Sequence, residues 1–103
     1  MTSVNNLKGL KLLQWNCHSI RNKREVIVNI INDYDILALS GTWLDSHINF
    51  NLTNFNILRK DGPSSKSGGL ILAIRKHIPY QVVDYIHYQE NTFESLAITI
   101  PTP

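Results

Sequence analysis

The chain has 103 residues but only one cysteine, Cys17. A single thiol excludes an internal disulfide and a multi-cysteine metal site, and it places the chain in a reducing, intracellular compartment. No stretch approaches the ~18 consecutive apolar residues of a membrane-spanning helix, so no membrane is expected as a partner. Between Met1 and Leu13, polar residues and lysines interrupt the apolar run before a signal-peptide core can form. Charge of neither sign dominates. Ten Lys and Arg against eight Asp and Glu leave +2, too little to mark a nucleic-acid binder by bulk electrostatics.

What is present is apolar and ordered in character. Hydrophobic residues make up 43% and charged residues 17%, the latter below the ~25% usual for globular chains, so disorder is excluded. The length supports one small core and not two. We divide the chain into a loose terminus over 1–9 and a single folded region over 10–103.

Leu10 to Asn16 (LKLLQWN) reads as a strand. Ile27, Ile30, Ile31 and Tyr34 then recur at i, i+3, i+4 and i+7, the spacing of one helix face. Asn22 stands where it could cap that helix, with Glu25 three residues on to reach back as in a capping box. The helix should end near Asn32 and Asp33. Ile36 to Ser40 (ILALS) reads as a strand covered on both faces, completing a βαβ unit with parallel strands. His47 to Asn56 is polar and Asn-rich, and Phe55 to Arg59 is a short strand. Lys60 to Gly69 is a loop of turn formers. Leu70 to Arg75, Gln81 to Ile86 and Leu96 to Ile100 read as three further strands, making the second half β-rich and antiparallel. The fold class is therefore α/β in its opening and α+β overall.

Most motif-like features have ordinary explanations. The loop from Gly62 to Gly69 fails the phosphate-loop pattern, because the fifth residue after Gly62 is Ser67 and Lys66 precedes the glycine pair. Asn51-Leu52-Thr53 is formally a glycosylation sequon without a signal peptide to make it meaningful. His18, His47, His77 and His87 lack ligand spacing, and one Cys cannot complete a zinc site. No Gly-x-Ser-x-Gly elbow supports a serine triad. Lys8, Lys11, Arg21, Lys23 and Arg24 crowd the first quarter of the chain, as a solvated helix start or a phosphate-contacting patch.

One ordered series stands out: LKLLQWNCHSIRNK, DILALSGTWL, FNILRKDG and GGLILAIRKHIP, covering about Leu10 to Pro79. Glu94 to Ile100 weakly extends it. The series resembles the endonuclease/exonuclease/phosphatase family, and within it the apurinic-type endonuclease domain of jockey-like non-LTR retrotransposons. The resemblance implies a four-layer α/β/β/α sandwich, of which this chain would supply the N-terminal half. It implies Mg²⁺ as cofactor, DNA as substrate, a nuclear location, and hydrolysis of the phosphodiester backbone in target-site nicking. Asn16 stands where the family's first strand ends in an Asn beside the metal and the scissile phosphate. Arg21 and Lys23 are candidates for contact with the DNA backbone, and Trp43 and Leu44 belong to the core.

Two departures bear on activity. The family's metal-binding Glu, usually in a Glu-Thr-Trp-Leu string, is replaced by Gly41. Magnesium takes few protein carboxylates, so losing the principal one should remove most of its affinity and the charge stabilisation it supplies. Asp45, four residues on, would have to approach from a loop. Family members are also longer, and their Tyr, Asp-x-Asn pair and late Asp-His lie in a half that has no counterpart here. Asp84 and His87 come too early and lack the flanking pattern. The expectation is an inactive N-terminal portion of a DNA endonuclease domain, with a non-enzymatic DNA- or protein-binding module as the alternative. The sheet face that a second half would cover should be exposed and apolar, favouring self-association.

Overall fold

The structure, a computed structural model, describes residues 2–7, 9–62, 67–83 and 95–101. Its centre is a five-stranded mixed sheet in the order β1-β2-β3-β5-β4. The strands are β1 (Thr2–Leu7), β2 (Leu10–Asn16), β3 (Ile36–Ser40), β4 (Phe55–Lys60) and β5 (Leu70–Arg75). Between β2 and β3 run α1 (Arg24–Ile30) and a 3₁₀ turn (Ile31–Asp33). A two-stranded ribbon, β6 (Gln81–Val82) with β7 (Ile98–Thr99), completes the described chain.

The expected βαβ opening is present. β2 and β3 are adjacent and parallel, with Leu12 opposite Ile36 and Asn16 opposite Ser40. β5 pairs antiparallel with both β3 and β4, so the second half is antiparallel as read from its pattern. The α+β class holds. Among the described residues no helix is long and apolar enough to cross a membrane.

The segment read as a loose terminus instead supplies an edge strand: β1 pairs antiparallel with β2 from Thr2 opposite Trp15 to Leu7 opposite Leu10. Its Asn5 and Asn6 are poor strand formers, which hid it. Pairing is nonetheless favoured because β2 would otherwise leave its outer backbone groups unmatched.

Side chains alternate between the two sheet faces. On one face Leu13, Leu37, Leu39, Ile71, Ala73 and Phe55 are buried against Ile27 and Ile31 of the helical segment. Ile30 and Tyr34 pack on the same cluster, so all four residues of the predicted stripe face the sheet. The polar segment after β3 also contributes, since Leu44, Phe50 and Leu52 are buried there. Arg24 holds that segment by a hydrogen bond from Nη1 to the Asn51 carbonyl, 2.6 Å, and lies over the Phe50 ring.

The predicted cap at Asn22 is not formed. The N-cap is Lys23, without a side-chain bond to the helix amides. A tight turn explains this: the Lys23 amide donates to the Ile20 carbonyl, and the helix begins one residue later than the capping-box reading requires.

The opposite sheet face was expected to be bare. Instead Tyr80, Ile98 and Ile100 pack there around buried Ile36, Ile74 and Ile78, together with Leu10, Leu12, Leu58 and Leu72. Among the described residues the cover is partial. Toward the Asn16 end of the sheet, Gln14, Ala38, Ser40, Leu70, Leu72 and Leu96 line a shallow cavity of about 110 Å³. The predicted strands 81–86 and 96–100 shorten to the ribbon, and residues 84–86 of the first lie outside the described residues.

Candidate functional site

The parallel strands β2 and β3 end side by side at Asn16 and Ser40. Leu70, which opens β5, is opposite Ser40, and Lys60, which closes β4, is opposite Leu70. The carboxyl ends of parallel strands are where α/β sheets place ligands, because loops there can converge without blocking the ladder. The loops leaving this edge are bonded to one another. Cys17 N–H donates to the Ser40 carbonyl at 2.7 Å, Ser19 to Gly41 at 2.8 Å, Ile20 to Thr42 at 3.0 Å and Trp43 to Gly68 at 2.9 Å.

This crossing of loops concentrates unusual backbone. His18, Ser19 and Trp43 all have positive φ, at 50°, 80° and 56°, alongside Gly41 at 63° and Gly69 at 99°. Each non-glycine residue in that region costs on the order of 1–3 kcal/mol and persists only where its surroundings over-determine it. Here the interloop bonds do so.

The structure brings Asn16 and Gly41 together. A Cβ built on Gly41 would lie 2.5 Å from Asn16 Oδ1 and 3.3 Å from the His18 nitrogen. Asn16 is exposed and Gly41 half-buried. Gly69 is used in the same way, since a Cβ there would collide with the Thr42 hydroxyl. Thr42 is buried and its Oγ1 has no hydrogen-bond partner. Nothing in the Gly-Thr-Trp string marked that residue beforehand.

Arg21 and Lys23 lie beside this corner, and both are engaged. The exposed Arg21 guanidinium is 3.7 Å from Asp45 Oδ2 and donates weakly to the Trp43 carbonyl at 3.4 Å. Lys23 Nζ donates to the carbonyls of His18 and Ser19 at 3.3 and 3.1 Å, tying down the positive-φ turn. Asp45 Oδ1 accepts the His47 amide at 2.9 Å. Leu44 is fully buried, as read from the sequence, while Trp43 is half-buried.

Beneath the corner, Cys17 is 1% exposed, and burial pushes its thiol up to about 11 against the opposing charge of Lys23. Such a thiol is protonated and inert near neutral pH.

The residues present do not fit the Mg²⁺ that the resemblance implies. That ion wants carboxylate oxygens, with water and phosphate completing an octahedron. Position 41 has no side chain, Asn16 offers a neutral amide, and the Asp45 carboxylate is directed to His47 and Arg21. Among the described residues no three His, Cys, Asp or Glu side chains are grouped to hold a metal.

Arg59 is the residue whose role sequence reasoning missed: its guanidinium binds the carbonyls of Asp45 and Ile48, fixing the loop that leaves Gly41. Backbone acceptors leave no trace in a sequence, so no signal could have found it. Comparison with models of known families, with curated proteins and with solved structures finds no match for this chain.

Proposed function

We propose that this chain is the N-terminal portion of an endonuclease/exonuclease/phosphatase-type domain, of the retrotransposon DNA endonuclease kind, and that it does not hydrolyse phosphodiesters itself. The observation that carries the reading is the meeting of Asn16 and Gly41 at the carboxyl ends of β2 and β3. Those two positions, distant in sequence, are the ones the resemblance assigns to phosphate contact and metal ligation. The βαβ opening and the antiparallel β4–β5 pair agree with the same domain plan. The sheet face, partly covered among the described residues, suits the inner layer of a four-layer sandwich.

DNA is the partner under this reading. With Arg21 paired to Asp45 and Lys23 bound to carbonyls, affinity for duplex DNA should be weak and should fall steeply with salt. The test is nicking of supercoiled plasmid and of an abasic-site duplex with Mg²⁺ or Mn²⁺, where no cleavage above background is expected. Metal-dependent nicking that Asn16→Ala removes would overturn the inactive reading. The ancestry is tested separately by mixing the chain with the C-terminal half of a jockey-type endonuclease domain. A one-to-one complex on size exclusion is expected, and two independent peaks would count against a shared domain plan.

The apolar cavity that the described residues leave on this sheet face favours a second reading, a non-enzymatic module that associates through that face. It needs no nuclease ancestry.

A further inference from the structure

We propose that β4 is an association edge, where two copies of this chain pair antiparallel about Leu58 and join their five-stranded sheets into one. The edge serves this purpose whether or not the chain descends from a nuclease.

The ladder fixes which groups of β4 point outward. The Arg75 amide donates to the Asp35 carbonyl and the Lys76 amide to the Asn54 carbonyl, so alternate residues along β5 face β3 and β4. Ile74, Leu72 and Leu70 therefore bond to Asn56, Leu58 and Lys60, and the amides and carbonyls of Phe55, Ile57 and Arg59 point away from the sheet. The Phe55 amide is taken by the Leu52 carbonyl at 3.2 Å. Among the described residues no partner meets the main-chain amide or carbonyl of Ile57 or of Arg59. A row of such groups at a sheet border is a template for another strand.

A second copy fits this row. With Leu58 set opposite Leu58 of the other copy, Ile57 stands opposite Arg59, and the outward amides and carbonyls of both residues close into bonds. Centring on Ile57 instead would need the Phe55 amide that Leu52 already holds, and centring on Arg59 would oppose two guanidinium groups. Charge permits the Leu58 register: Lys60 meets Asn56, Arg59 is already paired with Asp61, and no like charges stand opposite each other. The register also continues a core. Leu58 packs on the face of Ile36, Ile74 and Ile78, so the two leucines would close the seam between the apolar faces of the two copies. The contact is isologous and closes at two copies.

Register-specific cross-linking tests this. At a position without mutual hydrogen bonds, opposite Cα atoms of an antiparallel pair lie about 4.5 Å apart, within the span of a disulfide. Leu58→Cys should therefore give a disulfide-linked dimer on mild oxidation, whereas Asn56→Cys, displaced from its own counterpart by about 13 Å along the ladder, should not. Cys17 is buried and supplies no competing thiol. Without oxidant, sedimentation velocity of the parent should show an average mass rising from 11.8 kDa toward twice that value with concentration. In Leu58→Lys the rise should vanish, because two ammonium groups would be opposed. Should Leu58→Lys fail to fold, the cysteine pair still decides, since a thiol replaces the leucine without adding charge. Leu58→Cys that cross-links no faster than Asn56→Cys would overturn the proposal. A parent of constant monomer mass would overturn it as well, and would leave the edge to an extended segment of a different protein.

Discussion

Arg59 and Asp61, two residues apart at the end of β4, form a forked ion pair, with Nε to Oδ1 at 3.0 Å and Nη2 to Oδ2 at 2.9 Å. The fork presents the rest of the guanidinium to the neighbouring loop. Nη1 donates to the Ile48 carbonyl at 2.7 Å and Nη2 to the Asp45 carbonyl at 2.8 Å. Four acceptor atoms from three residues thus converge on one side chain, and the loop from Gly41 to β4 is held by it.

Arg59→Lys keeps the charge but cannot reproduce a planar fork with donors on three sides. We expect a loss of about 1–3 kcal/mol in urea unfolding, since half-buried carbonyls lose charged donors. Limited proteolysis should show earlier cleavage within 45–52. Unchanged stability together with an unchanged cleavage pattern would mean that the loop is held by its buried Leu44, Phe50 and Leu52 alone.

Arg75 plays the corresponding part at the other end of the sheet. Its Nε donates to the Tyr34 carbonyl at 2.9 Å and its Nη2 to the Ile31 carbonyl at 3.0 Å, closing the C-terminal end of the helical segment. The guanidinium also lies 4.8 Å from the centre of the Phe55 ring. Arg75→Met retains a stem of similar length and removes all of these donors. The expected cost is about 1–3 kcal/mol, and far-UV circular dichroism should show helix loss ahead of the main transition. A variant that unfolds with the parent would show the carbonyls to be adequately served by water.

These two arginines show where sequence reading stops. β2, β3 and β5 were legible to the residue, because each is an apolar run bounded by polar or glycine residues. The helix stripe was legible through Ile27 and Ile31. β1 was not, since its asparagines lack strand character and its pairing depends on the free edge of β2. The Asn22 cap failed because the turn from Ile20 to Lys23 is set by bonds to the Gly41–Thr42 loop, which no local pattern encodes. Asn16 and Gly41 could be picked out through the resemblance, but their contact could not. The positive φ of Gly41 and the approach of the Asn16 amide to it depend on how two distant loops cross.

Cys17 makes stability depend on alkaline pH. The folded thiol, pushed up to about 11 by burial, lies above an unfolded value near 9.0. A raised folded pKa means that the folded state keeps its proton while the unfolded state releases it. The stabilisation is complete below about 9 and is lost as pH rises toward 11. The loss should be on the order of 3 kcal/mol, at ~1.4 kcal/mol for each pKa unit. Cys17→Ala should flatten this part of the pH profile while lowering stability at neutral pH through the cavity it leaves. Rapid labelling of the native thiol at pH 8, as fast as in urea, would show that burial does not control it.

Leu70 decides between a closed and an associating sheet face. It is half-buried at the start of β5, beside the cavity bounded by Gln14, Ala38 and Ser40, and it belongs to neither core cluster. The ribbon residues Tyr80, Ile98 and Ile100 pack around Ile36, Ile74 and Ile78, and at this end of the face Leu96 lines the cavity beside Leu70. If the apolar face drives self-association, sedimentation velocity of the parent should show an average mass that rises with concentration. Leu70→Lys should suppress that rise, because a second copy would have to bury an unpaired ammonium. Stability should fall by less than about 1 kcal/mol, since the lysine stem can lie along the face with its charge in water. Association that persists in Leu70→Lys would move the contact elsewhere, to an edge strand such as β4, and would leave the sheet face to a second half-domain.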